Sequence, residues 1–135
     1  MKLTKELIRR LPKPELHCHL DGSLRVETVI DLAKKQKNEI PSYDFDELKK
    51  ILNVGDNIGT LVDYIKRFDI TLAVMQTPES LIRTAYELAE DCALDGVRYL
   101  EVRYSPILHT QAGMTLVETV DAVYQGLSQA ENDFN

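Results

Sequence analysis

The chain has 135 residues, enough for one domain, with 44% hydrophobic and 28% charged residues, an ordinary globular balance. Its net charge is −6 and its 16 basic residues are scattered, which argues against nucleic-acid or anionic-membrane partners and suits a neutral small molecule. No apolar run is long enough to span a bilayer, the N-terminus MKLTKELIRRLPK has no apolar signal core, and two cysteines make no disulfide framework. Cys18 and Cys92 are therefore expected as reduced, packed thiols in a cytoplasmic protein.

The first element, within Pro14 to Ser23 (PELHCHLDGS), reads as a buried strand. Strand side chains alternate with period 2, so His17 and His19 are expected on one face together with Glu15 and Asp21, while Leu16, Cys18 and Leu20 take the packing face. Two imidazoles on one face can converge on a metal. Strand histidines satisfied by their neighbours, and a plain Asp21-Gly22 turn, are the structural alternatives.

Helices follow. Val26, Val29, Ile30 and Ala33 recur at helical spacing, and a short helix is expected from Asp44 with Leu48, Ile51 and Leu52 apolar. Thr60 is placed to cap a third helix carrying Leu61, Tyr64, Ile65, Phe68 and Leu72 on one face, a stripe that on spacing alone reads as core. Thr77-Pro78-Glu79 starts a fourth, with Leu81, Ala85, Leu88, Ala89 and Cys92 in register and a stop at Asp95-Gly96.

Val97 to Arg103 reads as a second strand with Tyr99, Glu101 and Arg103 on one face and Leu100 and Val102 on the other. A structural pairing of Glu101 with Arg103 is expected. Thr115-Leu-Val-Glu118 is a capping box opening a last helix, with Leu116, Val120, Val123 and Leu127 expected inward. Strand, helices, strand, helix is the start of an α/β arrangement with parallel strands. Two strands complete no such fold, since an eight-stranded barrel takes about 250 residues, so the chain reads as the beginning of something larger.

Glu15 to Ser23 (ELHCHLDGS) and Glu101 to Pro106 (EVRYSP) together resemble the adenosine deaminase family of metal-dependent hydrolases, and the match runs in order from about Leu11 to the C-terminus. The resemblance implies an α/β fold in which residues 1–135 are the N-terminal segment of a (β/α)8 (TIM) barrel, incomplete in this chain, with extra helices after the first strand. It implies Zn2+ as cofactor, held in part by His17 and His19 at the C-terminal end of the first strand, where barrel active sites lie. Substrate binding falls to His19, to Asp21 as the partner of the nucleoside's ribose, and to Leu61, Tyr64, Ile65 and Phe68 as an apolar lid. Adenine-specific relatives carry Glu where Asp21 stands, so Asp21 favours a nucleoside. Arg103, Tyr104 and Ser105 match the segment that supports the site.

The implied reaction is hydrolytic deamination of adenosine to inosine and ammonia, with a modified purine nucleoside or nucleotide as the alternative substrate. Imidazoles suit zinc, which generates hydroxide near neutral pH. The other zinc deaminases use H-x-E with P-C-x-x-C, and no C-x-x-C occurs here. The family's later ligands and general acid/base match nothing in the chain, and His109 matches no ligand. No catalytic residue is therefore assigned within the chain, and alone it is expected to be inactive. A truncated, non-catalytic structural or metal-binding role is the contrasting expectation. Exposed sheet edges suggest self-association or a complementing C-terminal fragment as partner.

Overall fold

A computed structural model describes residues 3–53 and 65–134. The path begins with a short helix α1 (Lys5–Arg10), whose first turn is capped by Thr4 Oγ1, at 3.2 Å from Leu7 N. Strand β1 (Lys13–His19) follows and runs into a 3-10 turn at Leu20–Gly22. Among the described residues α2 (Val26–Gln36), α3 (Phe45–Leu52) and α4 (Phe68–Val74) come next, and then the long α5 (Pro78–Leu94). Strand β2 (Val97–Arg103), a second 3-10 turn at Pro106–His109, and α6 (Leu116–Phe134) complete the path.

The helix starts follow the sequence signals. Asp44 accepts from Glu47 N at 3.0 Å to open α3. Thr77 and Ser80 form a reciprocal capping box on α5, with Pro78 at its first position. Thr115 and Glu118 do the same for α6, at 3.2 and 2.8 Å. The expected helix capped by Thr60 is met in part: Thr60, Leu61 and Tyr64 lie outside the described residues, and α4 starts only at Phe68, after a turn at 66–67.

β1 and β2 pair in parallel, and the helices between them make the crossover that parallel strands require. The return from α5 into β2 is made by Gly96, with φ of 85°. A Cβ there would fall 2.1 Å from the Arg9 carbonyl oxygen, so only glycine lets α1 lie against this turn. Lys13 Nζ also reaches the Asp95 carbonyl across the same junction.

The core lies between the sheet and the helices. Leu20, Val29, Leu48, Val74, Met75, Leu81 and Ala85 are almost wholly buried, and Cys18, Leu100 and Val102 pack against them from the strands. β2 alternates as expected: Leu100 and Val102 turn inward, while Tyr99, Glu101 and Arg103 are exposed. Glu101 accepts the Tyr99 hydroxyl at 3.0 Å rather than pairing with Arg103; no ion pair joins those two among the described residues.

Two expectations about faces are corrected. In α6 the buried stripe is Thr119, Ala122, Val123, Gly126 and Ala130, whereas Leu116 and Val120 are about half exposed. The reason is close approach: a Cβ on Gly126 would lie 2.2 Å from the Ile82 carbonyl oxygen, so small residues face α5 and the bulkier ones are turned out. In β1, Leu16 is 57% exposed instead of packed. The register advances from Glu15–Leu100 to Cys18–Val102, three steps on β1 against two on β2, and His17 occupies the left-handed region at φ 60°. This is a bulge, and it breaks the period-2 alternation on which Leu16 was placed.

Candidate metal and nucleoside site

The bulge falls at the first of the two histidines. Past it, the His17 and His19 rings lie 5.2 Å apart between centroids, tilted by 49°. The convergence expected from alternation is thus reached by a different route, a left-handed residue that re-aims its own side chain. Both rings remain accessible; the His19 side chain is 52% exposed. Two neighbouring, accessible imidazoles are a donor set that suits zinc. They are only part of one: no group of three or more His, Cys, Asp or Glu positioned for a metal exists among the described residues.

Asp21 belongs to the 3-10 turn that ends β1, and its residue is 6% exposed. Its Oδ1 stands 3.4 Å from His19 Nδ1, near enough to act on the ring electrostatically but without a hydrogen bond to it. Two hydroxyls hold the turn. Thr71 Oγ1 donates to the Asp21 carbonyl at 2.6 Å, and Ser23 Oγ donates to the His19 carbonyl at 2.5 Å.

Phe68 closes the site from the helix side. Its ring meets the His19 ring edge-on at 6.5 Å, and a Cβ on Gly22 would come within 3.2 Å of it. Asp21, Gly22, Leu24, Leu52, Phe68 and Thr71 line a cavity of about 90 Å³. That is well below the roughly 300 Å³ at which small-molecule pockets begin. Of the residues expected as a lid, Phe68 lies beside His19 and Gly22, Ile65 is 54% exposed, and Leu61 and Tyr64 are outside the described residues.

One buried residue at this end of the sheet has no place in the expected site. His109, in the turn Pro106–His109 beyond β2, is fully buried, with Nδ1 at 3.0 Å from the Met75 carbonyl and its ring 5.7 Å from that of Tyr104. Burial holds its pKa below the ordinary imidazole value, although the Met75 carbonyl and the charge of Asp21 pull the other way. No periodicity marks it; the only available signal was a histidine just after Ser105-Pro106. Cys18 and Cys92 carry free thiols, and burial pushes the Cys92 thiol up to about 11, which keeps it protonated and inert.

Comparison with known proteins identifies the family and the fold. The adenosine deaminase family model matches residues 12–135. The adenosine deaminase of Clostridium perfringens is 46% identical over 125 residues, covering 93% of this chain and 38% of that protein. Among solved structures, a zinc-bound amidohydrolase from Burkholderia ambifaria superposes with a TM-score of 0.79 at 27% identity, over 99% of this chain and 36% of the other. An N6-mAMP deaminase from Arabidopsis does so at 0.68 and 33%, over 93% and 36%. The chain thus spans a little over a third of the length of the relatives it matches. Its two parallel strands and their helices are part of an α/β barrel, and the chain belongs to the adenosine deaminase family.

Proposed function

We propose that this chain forms the first two strands and surrounding helices of a zinc-dependent barrel enzyme that hydrolyses adenosine to inosine and ammonia. The observation that carries the reading is the convergence of the His17 and His19 rings, 5.2 Å apart, beside the wall formed by Asp21 and Phe68. In this reading His17 and His19 contribute two of the metal's ligands. Asp21, 3.4 Å from His19 Nδ1, favours the tautomer that leaves Nε2 free to ligate. Zinc, when bound, lowers the pKa of its water to about 7 and so supplies hydroxide for attack at C6 of the purine.

The remaining roles are those of shape and polarity. Phe68, with Leu61, Tyr64 and Ile65 as its proposed partners, covers the base and excludes water. Asp21, partly facing the same cavity, accepts a ribose hydroxyl. Catalytic zinc sites use three protein ligands, so a chain with two is inactive until further strands dock on its sheet, from the same polypeptide or a complementing fragment. The exposed Tyr99, Val117 and Tyr124 are the surface on which such docking, or self-association, would draw. No helix among the described residues is long and apolar enough to cross a membrane, and the free thiols fit the cytoplasmic location expected from the sequence.

The test is made on the full-length protein. His17→Ala and His19→Ala are each expected to lose bound zinc, measured by elemental analysis, together with deaminase activity. Unchanged zinc content and activity in both variants would sink the proposal. A modified purine nucleotide is the second reading, favoured by the likeness to the N6-mAMP deaminase. A substrate panel comparing adenosine with N6-methylated nucleosides and nucleotides separates the two.

A further inference from the structure

Two buried polar atoms receive no hydrogen bond from any described residue: Asp21 Oδ1, which lies 3.4 Å from His19 Nδ1, and His109 Nε2. Both residues are more than nine-tenths buried. Their states follow from their neighbours. The Met75 carbonyl is only an acceptor, so His109 Nδ1, 3.0 Å away, carries the ring proton. The neutral ring then presents Nε2 as an acceptor. A carboxylate oxygen is an acceptor as well.

One helix holds both groups. The Asp21 carbonyl accepts from the Thr71 hydroxyl at 2.6 Å, and His109 Nδ1 donates to the Met75 carbonyl. Residues 71 and 75 are four apart, one turn along the same face of α4 and its C-terminal cap. Gln76 locks the arrangement: its amide donates to Leu72 O and Leu108 O at 2.8 and 2.9 Å, and its Oε1 accepts from Gln111 N at 3.0 Å. The turn bearing His109 is therefore fixed to the helix end that also fixes Asp21, and the charge of Asp21 is felt at the His109 ring. Two buried acceptors held in this way cannot satisfy each other. A buried acceptor left unpaired is destabilising, whereas one water with two hydrogens satisfies both.

We propose that His109 is a positioning residue for Asp21: one buried water donates to His109 Nε2 and to Asp21 Oδ1, and so fixes the carboxylate that meets His19 and the nucleoside. The proposal rests on the reading of Asp21 as a nucleoside-binding group. It assigns to His109 a role in substrate affinity without contact with substrate or metal.

The experiment uses the full-length, zinc-loaded protein. Long-range 1H–15N spectra of its histidines are expected to show His109 as the neutral ring protonated at Nδ1. An imidazolium, or protonation at Nε2, overturns the water bridge, and this readout holds whether or not the protein deaminates anything. In kinetics with adenosine, His109→Leu is expected to raise KM about tenfold, the scale of one lost hydrogen bond to a charged group, with kcat within about twofold. His109→Gln, which restores an acceptor, is expected to return KM to within about threefold of the parent. In an Asp21→Ala background, His109→Leu is expected to add nothing further. Additive effects, or no rescue by Gln, overturn the positioning role. A parent protein that turns over no purine nucleoside would instead overturn the deaminase reading, leaving the tautomer result to decide the bridge. If the Leu variant does not fold, the Gln variant and the spectra still decide.

Discussion

Where α5 and α6 meet, Thr84, Ala85 and Leu88 of one helix and Thr119, Ala122, Val123 and Gly126 of the other are buried, and Gly126 lies so close to the Ile82 carbonyl and to Ala85 that no side chain fits there. At the C-terminal end of the sheet, His17, His19, Glu101 and Arg103 stand exposed, and the chain adopts a left-handed turn at a residue other than glycine. The first region gains from every atom it places, through burial and dispersion. The second keeps polar groups accessible and spends backbone strain to aim them. Burial is thus concentrated in the helix layer, and the proposed chemistry is mounted on the exposed end of the sheet.

That division is most easily broken at Gly126. Gly126→Val raises helix propensity slightly, but its Cβ would collide with the Ile82 carbonyl oxygen and with Ala85. Backbone cannot rotate away as a flexible side chain can. The expected result is a loss of about 3 kcal/mol or more, read from the urea midpoint. A neutral or stabilising outcome would mean that α5 and α6 are not in close contact, and the contrast between the two regions would collapse.

The joint between the regions is Thr71, whose hydroxyl reaches from α4 to the Asp21 carbonyl. Thr71→Val keeps the shape and leaves that carbonyl without its donor inside the protein. A loss of about 1 to 2 kcal/mol is expected. Because the same bond sets the turn that carries Asp21, nucleoside affinity in the full-length protein should fall along with stability. Stability lost with affinity intact would show that the turn is held by Ser23 and Gly22 instead.

The sequence made the helix layer's boundaries legible and the strain opaque, for physical reasons. Caps are local chemistry: Asp44, Thr77 and Thr115 each need a backbone N–H three residues on, and each finds it. β2 alternates because both of its faces are specified, one by Leu100 and Val102 and the other by charge. Apolar periodicity placed Val123 and Leu127 of α6 correctly but misplaced Leu116 and Val120, since it ranks them above Ala122 and Gly126, whereas close helix packing selects for smallness. The bulge at His17 has no local signal, because histidine carries no preference strong enough to announce a positive φ. His109 was invisible because its burial depends on Met75 and Gln76, both more than 30 residues away in the chain.

The smallest expected effect isolates that strain. Two residues other than glycine have positive φ among those described, His17 at 60° and Lys37 at 58°. Lys37 caps the C-terminus of α2, where glycine is the usual occupant. The left-handed conformation costs an L-residue roughly 1 to 2 kcal/mol, and glycine's greater freedom in the unfolded chain returns part of any gain. Lys37→Gly and His17→Gly should therefore each stabilise by about 0.5 to 1 kcal/mol. The two variants part on metal: Lys37→Gly should bind zinc as the parent does, whereas His17→Gly removes an imidazole that the proposed site needs. Equal stabilisation with unequal zinc content would show that the strain at His17 is retained for its ring. Destabilisation by His17→Gly alone would mean that the imidazole holds the bulge together, so that structure and site at this position are one and the same.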